Sequence, residues 1–153
     1  MRLNRRNWRA LLLFSLASCA MGGAWASAQV LRYTATVGHP ALIPLATSPE
    51  ASPANDTFRY VDITVWRFRP APSGPVQVTV EAPSGSSLIE IGRFGIYPEQ
   101  AFAATDSSQV QRFRLTIPAG LRLNDSSRLK VNIVPTRGSG KDASIEVEAG
   151  LLR

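Results

Sequence analysis

Few side chains in this sequence have the chemistry of a catalytic or metal centre. His39 is the only histidine and Cys19 the only cysteine among 153 residues. A zinc or copper site needs several His, Cys or carboxylate ligands. A serine hydrolase would need His39 as its general base, and the sequence has no Gly-x-Ser-x-Gly motif. We therefore predict no metal site, no cofactor and no catalytic residue.

Carboxylates are the remaining candidates for chemistry. Glu146 and Glu148 lie two residues apart in a strand-like stretch, so both face the same side of the strand. Glycoside hydrolases act through a pair of carboxylates. We interpret these two as solvated charges at the edge of a sheet. A small hydrolase that uses isolated carboxylates is the third alternative for function.

The first 28 residues are organised as an export signal. Their basic part holds four arginines and no acid, and an apolar run follows at 10–19. Arg5 and Arg6 resemble the twin arginines of signals that export folded proteins. We therefore predict a bacterial protein that is periplasmic or secreted, with a signal peptide at 1–28.

Two processing sites are open within this signal. Ala26 and Ala28 form a small-x-small pattern, and cleavage after Ala28 leaves 125 of the 153 residues. Alternatively, Cys19 ends a Leu-Ala-Ser-Cys sequence that resembles the lipobox of bacterial lipoproteins, whose cysteine is acylated. The apolar run has about ten residues against the roughly 20 of a membrane-spanning helix, so no transmembrane span is predicted.

The charge of the chain argues against nucleic acid as a partner. The formal net charge is +6, but four of the 17 basic residues and none of the 11 acidic residues belong to 1–28. The remaining chain has 13 basic and 11 acidic residues and no run of lysine or arginine. Such a chain has no basic stripe that could follow a phosphate backbone.

Beyond the signal, alternating polar and apolar residues are separated by turns. Residues 29–57 contain one modest strand and then a proline-, alanine- and serine-rich stretch, which predicts a linker or a long loop. Residues 58–153 predict one β-sandwich domain. Its expected strands are 58–68, 76–81, 88–94, 109–117, 129–134 and 144–152.

This pattern predicts an all-β fold, an antiparallel β-sandwich or barrel of about six to eight strands. In the first expected strand, Val61 and Val65 face one side, whereas Trp66 and Phe68 face the other. Only two stretches could be helical: 99–104 and a turn near 119–124.

Two aromatic residues near the end of the third expected strand are candidate binding residues. Gly92 and Gly95 bracket Phe94, and Tyr97 follows, so aromatic side chains lie beside flexible backbone. One interpretation places Phe94 in the core and Tyr97 in a turn that caps the end of the barrel. In the other, one of the two projects from a loop into a partner's pocket, as aromatic anchors commonly do.

Three stretches carry a resemblance to a known family: 76–83, 92–97, and 129–135 with the Gly138-Ser139-Gly140 that follows it. Together they make residues 58–152 resemble the β-rich C-terminal domain of tyrosinases and polyphenol oxidases, which covers the active site of that type-3 copper enzyme. The chain departs from the family because it lacks the histidine-rich copper domain. With one histidine, it cannot oxidise phenols itself.

The resemblance implies a free-standing covering domain: an exported, non-catalytic accessory protein that binds, shields or escorts a tyrosinase-like copper oxidase. Small chaperones of bacterial tyrosinases, which carry twin-arginine signals, are a functional analogy. Phe94 and Tyr97 would contact the partner. The alternative is a periplasmic or lipid-anchored β-sandwich module that binds a carbohydrate or a surface protein, and acylation of Cys19 would favour it.

The intact mass of the exported protein distinguishes the two processing sites. We expect the unmodified mass of a chain that begins at Gln29, because the small-x-small pattern before it is complete. A Cys19→Ala substitution should then leave this mass unchanged. A chain that begins at Cys19 and is heavier by its acyl groups would contradict cleavage after Ala28.

Overall fold

The computed structural model describes residues 31–47, 60–124 and 126–152. This part of the chain contains ten strands and no helix, so it holds no helix that could cross a membrane. The predicted signal and lipidation residues lie outside the described residues: Arg5, Arg6, Cys19, Ala26 and Ala28.

The ten strands form two sheets that pack face to face. They are β1 (Tyr33–Thr36), β2 (Ala41–Pro44), β3 (Ala46–Thr47), β4 (Tyr60–Arg69), β5 (Val76–Ser84), β6 (Ser87–Phe94), β7 (Phe102–Ala103), β8 (Gln111–Thr116), β9 (Arg128–Pro135) and β10 (Ser144–Leu152). Sheet A has the order β1-β10-β4-β7, with β3 also paired to β10 and β8 to β4, and sheet B has the order β2-β9-β5-β6. All of these pairs are antiparallel except β3 with β10. The predicted antiparallel β-sandwich is confirmed, and the additional strands are short.

Branched aliphatic side chains between the two sheets hold the sandwich together. Every second residue of the central strands is buried, because side chains alternate between the faces of a strand. The largest fully buried residues are Ile43, Ile63, Leu129, Ile145, Val61, Val65, Val78, Val80, Val131 and Val147. Burying one such side chain contributes about 1.5–3 kcal/mol. This layer is therefore the main source of hydrophobic stabilisation.

The inward face of β4 changes at a β-bulge. The register of β4 against β10 shifts between Glu146 and Val147, and Trp66 is the extra residue on β4. Phe68 is consequently buried in the core, with 2% of its surface exposed. Strict alternation places Phe68 on the outer face with Trp66. That prediction is wrong, because a bulge shifts the alternation by one residue.

Strands β1 to β3 extend the sandwich beyond the domain predicted at 58–153. The sequence predicts a linker or loop after His39, but β2 pairs with β9 and β3 with β10. Pro44 is tolerated because it ends β2, an edge strand with a single partner. Between β1 and β2, Val37 forms a β-bridge with Ile133 of β9. The chain therefore passes from sheet A to sheet B at the side of the sandwich formed by β1 and β2.

Neither of the two stretches that could be helical forms a helix. Within 99–104 the chain forms β7 and pairs with the end of β4. Near 119–124, Leu121 and Leu123 are both buried. A spacing of two residues between buried side chains is that of an extended chain, not of a helix.

We expect Phe68→Ala to lower the free energy of unfolding by about 3–5 kcal/mol, because the substitution leaves a cavity in the core. Arg112→Ala, which changes an exposed residue on the same sheet, should change it by less than about 0.5 kcal/mol. Urea denaturation followed by tryptophan fluorescence measures both values. Small and equal effects would contradict the placement of Phe68 in the core.

Candidate functional site

Four connections meet at one end of the sandwich, which we call the loop end. Because neighbouring strands are antiparallel, β4, β6 and β9 end where β5, β8 and β10 begin. The connections are the turn 37–40, the loop 70–75, the segment 95–110 that includes β7, and the loop 136–143. Loops on a rigid scaffold commonly carry binding residues, and both candidate aromatic residues lie at this end.

Phe94 packs where an edge of sheet B approaches an edge of sheet A. Its ring stacks on that of Phe113 in β8, with centroids 3.9 Å apart and an angle of 13° between the planes. Beside this pair, a Cβ atom on Gly92 would lie 2.8 Å from Cδ2 of Leu115, so glycine permits the close approach. Phe94 is half-buried against the core, which is the packing role of the first interpretation.

Tyr97 projects from the loop end into solvent. The residue is 87% exposed, although the neighbouring Ile96 is buried in the core. Nε2 of Gln111 donates a hydrogen bond to the carbonyl oxygen of Tyr97 at 3.2 Å. Ile96 and Gln111 thus fix the backbone that presents this aromatic side chain. A large aromatic residue on a fixed backbone has the geometry of an interface anchor.

The loops that follow β4 and β9 are hydrogen-bonded to each other. The amide and the hydroxyl of Thr136 donate to the carbonyl oxygen of Pro75, at 3.0 and 2.9 Å. The amide of Gly140 donates to Oγ of Ser73 at 3.1 Å. A side chain on Gly138 would collide with the Ser73 carbonyl oxygen. These contacts make the two loops a single fixed rim of the loop end.

The outer face of sheet A carries four residues that we call the arginine–tryptophan cluster: Arg32, Trp66, Arg67 and Glu146. The guanidinium of Arg32 lies 3.7 Å from the centre of the Trp66 ring, an attractive cation–π geometry. Arg32 and Arg67 both pair with Glu146, at N···O distances of 3.4 and 3.7 Å. Glu146 is therefore the shared counter-ion of two arginines, and the β4 bulge places Trp66 and Arg67 on the same face.

Two buried polar atoms near this cluster lack a hydrogen-bond partner among the described residues. They are Nε1 of Trp66 and Oε2 of Glu148. Glu148 lies opposite Thr64, which is buried although it faces outward. A buried polar group without a partner costs about 1–3 kcal/mol. Both atoms are themselves buried, so they lie beneath the surface that the cluster presents.

The outer face of sheet B carries an ion pair between Glu81 and Lys130, with an N···O distance of 3.0 Å. Nδ2 of Asn132 donates to Oγ1 of Thr79 beside it, at 3.4 Å. The interaction with Lys130, only partly opposed by burial, lowers the pKa of the Glu81 carboxyl from its ordinary value of 4.5. Glu81 therefore stays ionised into acidic solution.

No group of three His, Asp or Glu side chains that could hold a metal lies within the described ranges. His39 is exposed in its turn, where its backbone exchanges two hydrogen bonds with that of Thr36. Glu146 is engaged by two arginines.

The arginine–tryptophan cluster was outside the reach of sequence reasoning. Arg32 and Glu146 are 114 residues apart and meet only because β1 pairs with β10. Trp66 and Arg67 share a face only because of the bulge. The one signal in the sequence is the recurrence of arginine at outward positions of the strands, which indicates a charged outer face without indicating its pairs.

Comparisons with known proteins identify no relative. No family model, curated protein or solved structure matches this chain.

The stability of the protein should depend on pH through Glu81. A carboxyl group whose pKa is lowered by folding stabilises the fold above its unfolded value, near pH 4.5, and this contribution is lost as the pH falls through the lowered pKa. We expect the unfolding free energy of Glu81→Gln to fall less steeply than that of the wild type between pH 7 and about pH 3. Glu99→Gln, an exposed change, should keep the wild-type slope. Urea denaturation across this range measures the slopes, and parallel profiles for wild type and Glu81→Gln would contradict the expectation.

Proposed function

We propose that this protein is an exported, non-catalytic accessory protein that binds a partner protein through its loop end. Tyr97 is the observation that carries the proposal, because its side chain is exposed on a backbone fixed by Ile96 and Gln111. Large aromatic residues are among those that contribute most to binding energy at interfaces. Export is supported by the signal predicted at 1–28 and its pair Arg5 and Arg6.

The partner we propose is a tyrosinase-like copper oxidase. The support is the resemblance of residues 58–152 to the domain that covers the active site in that family. An aromatic or apolar side chain of such a domain can fill the substrate pocket, and Tyr97 is exposed enough to do so, whereas Phe94 is stacked on Phe113. Twin-arginine signals export folded proteins, so a signal-bearing companion could escort a folded enzyme that has no signal.

Co-purification from the expressing organism tests this proposal, with an affinity tag after Arg153, identification of the captured protein and copper analysis. We expect a stoichiometric copper oxidase. Tyr97→Ala should weaken its binding at least tenfold, and Tyr97→Phe should retain most of it. Leu88→Ala is the matched control, because Leu88 is an exposed apolar residue, 48% accessible, at the opposite end of the sandwich.

For Phe94→Ala, the Tm must be measured together with binding, because this substitution also affects stability. It removes the stack with Phe113, worth about 0.5–1.5 kcal/mol beyond the buried area, so it should lower the Tm as well as affect binding. Tyr97→Ala isolates the contact, since an exposed side chain contributes little to folding. A Tyr97→Ala variant that binds the oxidase like the wild type would overturn the role of this loop.

The second candidate function is a periplasmic or lipid-anchored module that binds a carbohydrate or a surface protein. The arginine–tryptophan cluster favours it, because binding sites for small molecules combine aromatic surface with a few polar groups. Recovery of the protein alone, metal-free and lipid-modified, would support this alternative over the accessory role.

A further inference from the structure

Register partners on β1, β10 and β4 form rows across the outer face of sheet A. The two rows nearest the loop end are Thr36, Ser144 and Arg69, then Thr34, Glu146 and Arg67. Rows are separated by two residues, or roughly 7 Å along each strand. The second row contains a carboxylate, whereas the first contains a cation and two hydroxyls.

Arg69 differs from most arginines of this face because it has no ion-pair partner among the described residues. Arg67 pairs with Glu146, and Arg114 pairs with Asp62 at 2.8 Å. An arginine fork is suited to two parallel hydrogen bonds with a carboxylate. The row nearest the loop end, which contains Arg69, therefore has no acidic residue, whereas the next row has Glu146.

Arg69 lies in a basin of about 650 Å³ between the outer face and the loop that follows β9. The polar lining includes two cations, Arg69 and Lys141, one carboxylate, Asp142, and the hydroxyls of Thr34, Thr36 and Ser144. The shape is concave, and the lining can both donate hydrogen bonds and pair with negative charge.

The loop that carries Lys141 has a fixed and unusual backbone. The backbone amide of Lys141 donates to Oγ of Ser139 at 3.3 Å, and Gly140 has a φ of +63°. Asp142, with a φ of 71°, is the single non-glycine residue with positive φ in the described part of the chain. Aspartate tolerates this conformation better than most residues. Both charged residues of this loop, Lys141 and Asp142, line the basin.

We propose that this basin binds the carboxylate of an acidic saccharide. Arg69 and Lys141 against Asp142 leave one net positive charge in the lining, which one carboxylate neutralises, whereas a dianion would leave the basin with excess negative charge. Arg69 pairs with the carboxylate, while the hydroxyls in the lining hydrogen-bond the hydroxyls of the sugar. The proposal rests on the second candidate function for its ligand class but places the saccharide in the basin, apart from the arginine–tryptophan cluster, and it needs neither Tyr97 nor an oxidase.

Isothermal titration of the purified mature protein tests the proposal with three probes: trigalacturonic acid, its methyl ester and inorganic phosphate. The ester removes the negative charge and keeps the sugar hydroxyls. We expect the acid to bind at least tenfold more tightly than the ester and phosphate, and to bind more weakly as salt is added. Because this titration contains no partner protein, its failure is distinguishable from failure of the co-purification.

Three variants locate the site. Arg69→Gln and Lys141→Gln should each weaken binding of trigalacturonic acid at least tenfold. Arg112→Gln is the matched control, because Arg112 is an exposed arginine outside the basin that has no ion-pair partner among the described residues. This variant should bind like the wild type. The Tm of each variant is measured in parallel, and Lys141, on an exposed loop, keeps the test valid if Arg69→Gln fails to fold.

Four results would overturn the proposal: no binding of trigalacturonic acid, equal binding of the ester, tighter binding of phosphate, or unchanged binding in both basin variants. NMR amide shifts give an independent location. Shifts confined to 34–36 and 139–144 support the basin, and shifts elsewhere exclude it.

Discussion

The pairing of β4 with β10 is the constraint on which the rest of this structure depends. Before its bulge the valine and isoleucine residues of β4 face the core, and after it Phe68 does. In strict alternation Arg67 would point into the core and Phe68 into solvent, which would bury an unpaired charge at a cost of several kcal/mol. One extra residue, Trp66, removes this conflict and brings Trp66 and Arg67 together on the outer face.

Different contacts join the two sheets at the two sides of the sandwich. The basin lies near one of these sides, and Tyr97 follows the other in sequence. At β1 the bridge between Val37 and Ile133 joins the sheets through the backbone, and the basin lies above this side. At the side of β6 and β8 the Phe94–Phe113 stack fills the gap with side chains, and Tyr97 follows it in sequence. The backbone bridge at Val37 uses no side chain, so neighbouring side chains can line the basin. The stack of Phe94 on Phe113 instead fixes the strand end from which the loop with Tyr97 projects.

The long strands were predictable because alternation records burial directly, as in β5, β9 and β10. The failures each involve a feature that periodicity does not encode: a proline at the end of an edge strand in β2, buried leucines in an extended connection, and the bulge that moves Phe68. At the candidate site, the sequence identified Phe94 and Tyr97 as candidate binding residues but could not tell which of them is exposed. That depends on which ring packs against Phe113, a contact between strands of different sheets. Register also decides whether Arg32 reaches Glu146, and period-2 patterning fixes faces, not partners.

Two acidic residues, Glu146 on the outer face of sheet A and Asp142 in the loop beside it, indicate that this face is more than a solvated surface. Exposed ion pairs contribute little to stability, so a purely solvated face would gain little from sharing Glu146 between Arg32 and Arg67. It would gain less from an aspartate held at positive φ in the same basin as Arg69, which has no ion-pair partner in the part of the chain that the structure describes. A basin that binds one carboxylate accounts for these features, since its two cations attract the carboxylate and Asp142 leaves a net charge that one carboxylate neutralises. The basin is lined by residues of β1, β4, β10 and the loop after β9, whereas Tyr97 lies in the segment after β6, so the two candidate sites share no residue.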